Sequence, residues 1–216
     1  LEPLRQGALA SGVAIYEDSP AIALELSGWL RANHVRVITP SGTVSSDHCG
    51  IATHSPILGR MGGLGASHLQ ITPRRTYVIS VRLKTPTLMD GTYWDLDRPY
   101  HYIRPDHRSG GESVWIGGLD HPVGHLPRGG LDPFRRLEEY ARARFEIESV
   151  RDRWSGQILE SLDGLPLVGT TLHSDRILVA TGMGGNGTSL ASLAATQICD
   201  QVLGRKPELG SLLSPQ

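Results

Sequence analysis

The spacing of apolar residues divides the chain into three stretches. In the first, Leu4 to Ser11 carries the end of a helix and Gly12-Val-Ala-Ile-Tyr16 reads as a strand. Val35 to Thr39 and Thr43 to Val44 flank Pro40-Ser-Gly42 as a hairpin, and Cys49-Gly-Ile-Ala-Thr53 is a short apolar strand ending at His54-Ser-Pro56. The second stretch, from about 70 to 148, is strand-rich, with candidates at Thr76 to Leu83, Tyr100 to Arg104 and Ser113 to Gly117. It closes on a helix from about Pro133 to Phe145, whose Phe134, Leu137, Tyr140 and Ala141 share one face. From Val150 onward the pattern returns to strand, glycine turn and helix. Gly62-Gly63-Leu64-Gly65 and Gly110-Gly111 read as ordinary loops, and no repeat or low-complexity tract is visible.

The last stretch holds the strongest local signal. Ile177 to Ala180 is a short apolar run leading into Gly182-Met-Gly184-Gly185-Asn-Gly187, and a helix pattern follows with Leu190, Leu193, Ala194, Ile198 and Val202. A glycine turn between strand and helix lets the backbone approach a bulky ligand. It also aims free N–H groups and the positive helix end at an anion such as a pyrophosphate. The turn satisfies G-x-G-x-x-G, but no second strand follows to carry a ribose-binding acid, and Asp200 falls within the helix. Two readings stand: a secondary contact to a cofactor whose main loop lies elsewhere, or a helix-capping turn without a ligand.

Bulk properties narrow the field modestly. With 216 residues and 39% hydrophobic content, the chain can bury a sizeable core as one large or two small domains. A net charge of -1 gives no reason to expect nucleic acid or an anionic membrane surface. Cys49 and Cys199 lie far apart without metal spacing, which fits a reducing cytoplasm and no metal site. No segment is apolar and long enough to span a bilayer. The chain opens on Leu1, in what reads as the middle of a helix, so a fragment is expected. The economical architecture is α/β (α+β), with a β-rich insertion between two pieces of one domain.

The order of motifs resembles the FAD-dependent oxidoreductases of the D-amino acid oxidase and sarcosine oxidase superfamily. Gly12-Val-Ala-Ile-Tyr-Glu-Asp-Ser-Pro-Ala21 is similar to the strand whose end contacts the adenine side of FAD. Ile51-Ala-Thr-His54-Ser-Pro56 resembles the strand end at re-entry into the flavin domain. Arg153-Trp154-Ser-Gly156-Gln157 and Asp163-Gly164-Leu-Pro166-Leu-Val-Gly169 resemble the late signature, and Ala180 to Gly187 the closing turn under the isoalloxazine. Tyr93-Trp94, Pro99 to Arg104 and Ile116 to His121 look closest to the subgroup that carries a C-terminal Rieske iron–sulfur domain.

The resemblance implies an incomplete Rossmann-like FAD-binding domain in 1–60 and 149–216, lacking its N-terminal dinucleotide fingerprint. A mostly antiparallel β-sheet substrate domain would occupy 61–148. It implies FAD contacts at Ala21, Ala52, Thr53, Gly156, Gly164, Gly182, Met183, Gly184, Gly185, Gly187 and Thr188. It also implies a small amine or amino-acid-like substrate handled by His101, Tyr102 and Arg153, and a Rieske domain as partner in the full-length protein. The strands at Val13 to Tyr16, Gly50 to Thr53 and Ile177 to Ala180 are expected in one layer or in adjacent layers, each ending at a cofactor-facing turn.

Departures temper this. The primary fingerprint and its ribose acid are missing, so the chain alone is expected to bind FAD poorly or not at all. No Cys-x-His with a later Cys-x-x-His is available for a Rieske centre. Met183 and Ala191 replace an aromatic residue and a glycine common at these positions. Arg153 reads equally as a carboxylate clamp or as a structural salt bridge near the Asp163 turn, and Trp154 reads as core before flavin-stacking. His101, His107, His121 and His125 cluster in one block, and His121-x-x-x-His125 has helical metal spacing, but Pro122 and Gly124 argue against a helix there. No G-x-S-x-G elbow supports a serine hydrolase. A flavoenzyme part and a non-catalytic remnant are the two function classes left.

Overall fold

The computed structural model describes residues 1–27, 34–55, 71–85, 90–106, 112–125, 130, 132–171 and 174–215. Pro56, His107 and the loops at Gly62 to Gly65 and Gly110-Gly111 lie outside the described residues. In chain order the elements begin α1 (Glu2–Ala10), β1 (Ala23–Ser27), β2 (His34–Thr39), β3 (Gly42–Ser46), β4 (Cys49–Ile51) and β5 (Ile71–Leu83). Next come β6 (Tyr93–Trp94), β7 (His101–Pro105), β8 (Ser113–Pro122) and α2 (Pro133–Arg142). The chain finishes with β9 (Ile147–Ser161), β10 (Leu167–Thr171), β11 (Ser174–Thr181), α3 (Gly187–Val202) and α4 (Gly210–Leu213). These form two compact units: Leu1–His68 with Val168–Ala180 and Ala195–Gln216, and Leu69–Leu167 with Thr181–Ala194.

In the first unit, α1 ends through Gly12 at φ 83. The Gly12 N–H donates to the Leu9 carbonyl and the Val13 N–H to the Ala8 carbonyl, both at 3.0 Å, the bond pair that stops a helix at a glycine. That use of the Val13 amide overturns the strand expected over Val13 to Tyr16: no strand forms there, and Val13, Ile15 and Tyr16 are exposed. The hairpin forms as read. β2 and β3 pair antiparallel and close at Thr39 opposite Gly42, and β1 pairs with the other side of β2.

A second sheet has the order β10-β11-β4. β4 and β11 run parallel with Val179 opposite Ile51, so their carboxyl ends reach the same edge, although 122 residues separate the two strands in sequence. Val35, Ile51, Ile177 and Val179 form the core of this unit, with Leu24 and Cys49 against it.

The second unit is a five-stranded sheet of order β6-β7-β8-β5-β9, antiparallel throughout. The pattern places the end of the β-rich block at 148, but the sheet extends further. β9 pairs with β5 from Ile147 to Ser161, so residues 149–167 belong to this unit. Fifteen residues of β9 alternate weakly in hydrophobicity because an edge strand buries little, which is why the pattern does not reveal its length.

α2 covers one face of this sheet. Asp132 caps it by accepting the Phe134 N–H at 3.2 Å, and Pro133 opens the first turn. Leu137 and Ala141 are fully buried against Ile79, Val81, Val114 and Ile116. On its outer side Glu138 receives Arg142 at 2.8 Å and Arg153 of β9 at 3.0 Å. The Arg142 bond, ahead of that from Arg153 and against some burial, holds the Glu138 carboxyl below the usual range.

A depressed carboxyl contributes stability above its unfolded pKa and loses it as pH falls through the folded value. Acid unfolding followed by circular dichroism is therefore expected to show Glu138→Gln less stable than the unsubstituted chain at neutral pH. The gap should be no more than about 1 kcal/mol, because the pair is half in water. It should close as pH drops below about 4; a gap that persists unchanged at lower pH contradicts the pairing.

Candidate functional site

Strand alternation sorts the side chains of the second unit onto two faces. His101 points to the α2 face. Its ring stacks on Tyr140 with centroids 3.9 Å apart, and its Nδ1 lies 2.9 Å from Asp95 Oδ2. The same oxygen accepts the Tyr140 hydroxyl at 3.1 Å, while Asp95 Oδ1 accepts the backbone N–H groups of His101 and Asp97. Burial works to raise the Asp95 carboxyl, but the bonds from His101 outweigh it and hold the group below its usual value. Asp95, Asp97 and His101 offer three groups within reach of one ion, yet the Asp95 oxygens are already engaged by these donors.

Arg153 also lies on the α2 face, where its partner is Glu138 and not the Asp163 turn. His121 accepts or donates at both ring nitrogens, to the Tyr77 hydroxyl at 2.9 Å and the Pro122 carbonyl at 3.0 Å. β8 ends at Pro122 and a turn follows, so His121 and His125 do not share a helix.

Tyr102, next to His101 in sequence, points the other way. Across the opposite face the register lines up Tyr102, Gly117, Val78 and Trp154. The Tyr102 ring lies over Gly117, where an added Cβ would overlap it. One row further, the Arg104 guanidinium sits 5.8 Å over the Trp115 ring, and Trp115 meets Trp154 edge-on at 6.2 Å. Trp154, read from sequence as core, is 41% exposed because β9 is an edge strand.

At one end of this face β8 is irregular. Gly118 has φ 130 and Leu119 φ 58, and the Leu119 N–H donates to the Tyr100 carbonyl at 3.2 Å. This turns Asp120 toward Tyr100, whose hydroxyl hydrogen-bonds its carboxylate. Asp120 is only 7% exposed, and its Oδ1 accepts no hydrogen bond among the described residues. Arg74 Nη2 donates to the Asp120 carbonyl at 3.2 Å, and Arg74 Nε lies 3.3 Å from Glu160 Oε2. Burial, then the charge and hydrogen bond of Asp120, push the Tyr100 phenol up to about 12. Burial and the Asp120 charge also raise Tyr102, with Arg104 opposing. Both phenols keep their protons at neutral pH.

The glycine turn belongs to the same unit. Beyond β11, Gly182 turns at φ 72 beside Ser161 and the Leu167 amide, and Met183 bridges to Glu160 at the end of β9. Gly184 to Asn186 make one 3-10 turn, and α3 starts at Gly187. A Cβ at Gly184, where φ is 55, would meet nothing within 4 Å. One at Gly185 would meet only the Tyr100 hydroxyl, at 3.8 Å. The turn thus offers a bare backbone edge facing Tyr100, with Thr188 exposed in the first turn of α3.

Other predicted cofactor positions are spread more widely. Gly164, at φ 78, sits in a turn where Asp163 accepts the Leu165 N–H at 3.0 Å. Gly156 lies mid-strand in β9, opposite Thr76. Ala21, Ala52 and Thr53 are exposed in the first unit, Ala52 and Thr53 directly following β4. Tyr100, Asp120, Arg74 and Glu160 were not singled out from sequence. The available signal was the two-residue strand period, which puts Tyr100 and Tyr102 on one face and His101 on the other, together with the Gly117-Gly118 pair that bends β8 toward Tyr100.

A parallel strand pair, a glycine turn leading into a helix and a large antiparallel sheet make this a mixed α/β protein. Residues 1–201 match the family described as FAD dependent oxidoreductase, and the chain belongs to that family. It is 26% identical over 217 residues to the "Putative Rieske 2Fe-2S iron-sulfur protein YhfW" of Bacillus subtilis (strain 168), covering all of this chain and 41% of that protein. It is 29% identical over 204 residues to the glycine oxidase of Bacillus licheniformis, covering 92% of this chain and 52% of the relative. The chain therefore spans about half or less of these relatives. In fold it resembles NikD, an amino acid oxidase essential for nikkomycin biosynthesis, with a TM-score of 0.79 at 19% identity over all of this chain and 58% of NikD.

The family cofactor is FAD. The open backbone at Gly184 and Gly185 fits it, since no side chain fills the space where a ring or phosphate would approach. Among the described residues no helix is long and apolar enough to cross a membrane.

Proposed function

We propose that the chain forms part of an enzyme that oxidises a C–N bond of a small amine or amino acid at FAD. The observation that carries this reading is the bare edge of the turn Gly182 to Gly187, turned toward the tyrosine-lined face of the sheet within one unit. Bound there, the flavin would supply the hydride acceptor, so the protein's work is binding and orientation.

Gly182, Met183, Gly184, Gly185, Gly187 and Thr188 would approach the ring system, and Gly164 and Gly156 would support that end of β9. For Ala21, Ala52 and Thr53, in the first unit, a cofactor role is proposed on the resemblance alone. Tyr102 would orient the substrate from the sheet face. His101 and Arg153 would act indirectly, through Asp95 and Glu138, by fixing α2 against the sheet.

In domain terms, 1–60 and 149–216 would carry FAD and 61–148 the substrate, with β9 shared between the two roles. A Rieske iron–sulfur domain is the proposed electron partner, suggested by the YhfW likeness, and the cytoplasm is the proposed location.

The test is the flavin content of the complete gene product, purified under native conditions. Yellow protein with about one FAD released per chain on denaturation supports the reading. Protein that neither carries FAD nor takes it up when supplied overturns it.

A further inference from the structure

Asp120 has no role in the reading above. Its carboxylate is more than nine-tenths buried, yet one oxygen lacks any donor among the described residues. Leaving such an oxygen unpaired costs a full desolvation penalty, which a ligand donor would recover. Of the nearby cations, Arg74 reaches the Asp120 backbone carbonyl and pairs with Glu160, and Arg104 lies over Trp115, so neither donates to Oδ1. The other neighbour is the neutral Tyr100 phenol, and that hydroxyl stands 3.8 Å from the point where a Cβ of Gly185 would be. A buried carboxyl group with one unpaired oxygen therefore sits close to the bare edge of the glycine turn.

We propose that Asp120, oriented by Tyr100, is the subsite that binds the ammonium group of the substrate, making the site selective for a cationic amine. Oδ1 accepts one N–H of the ammonium as a charge-assisted hydrogen bond. The Tyr102 ring, on the same face, offers a π surface to the cation. An anion of similar size is repelled. Asp120 is then a specificity-determining residue and Tyr100 a positioning residue for it. The assignment rests on the amine-oxidising reading.

Calorimetric titration of the complete gene product with ethylammonium, ethanol and acetate tests this, with flavin absorbance recorded on the same samples. Ethylammonium is expected to bind at least about tenfold more tightly than its neutral isostere ethanol, and acetate more weakly than either. Asp120→Asn should weaken ethylammonium by about tenfold or more while leaving ethanol unchanged, and Tyr100→Phe should have a smaller effect of the same sign. Equal binding of ethylammonium and ethanol by the unsubstituted protein, or no detectable ethylammonium binding, overturns the subsite even if the Asn variant fails to fold. So does a folded Asn variant, judged by its melting temperature, that keeps the ammonium preference. Flavin present without ammonium preference defeats the subsite alone. Ammonium preference in a protein that never binds flavin keeps the subsite and defeats the oxidase reading.

Discussion

Gly118→Val is expected to cost more than about 3 kcal/mol of stability, at the severe end of single substitutions. Gly118 sits where β8 bends, at φ 130, which an L side chain rarely adopts. A Cβ built there overlaps the Tyr100 carbonyl and crowds the His101 Cα, so backbone on β7 would have to move. Neither strand can yield cheaply. β7 carries Ile103 into the core and β8 carries Ile116, while Asp120 follows immediately. Equilibrium urea unfolding of the two proteins would measure the loss. A cost under about 1 kcal/mol would mean that the β7–β8 register around Tyr100 differs from the one described.

The next largest effect is expected at Gly184. Its φ of 55 disfavours a β-branched residue, so Gly184→Val should cost the flavin-free protein about 1–3 kcal/mol. Open space around it means that no packing clash adds to this strain. On the proposed role of this turn, flavin affinity should fall further, by at least about tenfold, or 1.4 kcal/mol, because the new side chain would project into space that the proposal gives to the flavin. Gly187 separates the two effects. Its φ of -54 is helical and its added Cβ would meet only Met183, at 3.8 Å, so Gly187→Ala should stabilise the flavin-free fold by up to about 1 kcal/mol. Melting temperature and FAD dissociation constant, measured on both variants, decide the matter. If Gly184→Val leaves FAD binding intact in the folded fraction, the turn is scaffolding.

Local signals in the sequence were legible where one period dominates. The hairpin at β2 and β3, the run into β11 and the amphipathic α2 each follow from apolar spacing and turn residues. Val13 to Tyr16 misled because an apolar run with β-branched residues resembles a strand, whereas the Gly12 amide geometry committed Val13 to ending α1. β9 was underestimated for the opposite reason: its charged, exposed edge carries no hydrophobic signature, and only pairing with β5 defines it.

The glycine turn was legible from its local strand–glycine–helix pattern, and resemblance drew attention to the segment from Pro99 to Arg104. Resemblance did not separate neighbours within a strand. His101 and Tyr102 stood together in sequence, and the pleat sends one to α2 and the other to the opposite face. Asp120 stayed hidden because its proximity to Tyr100 depends on the irregular turn at Gly118 and Leu119, a long-range feature of backbone geometry.

Anaerobic addition of an amine to the flavin-loaded gene product tests the central claim most directly. Oxidation of a C–N bond at FAD predicts loss of the oxidised-flavin absorbance band, with one carbonyl product formed after hydrolysis for each flavin reduced. A panel of small amines, glycine and other amino acids should contain at least one compound that does this in the unsubstituted protein. An FAD-loaded protein whose flavin stays oxidised with every member of that panel, while dithionite reduces it normally, would contradict the claim.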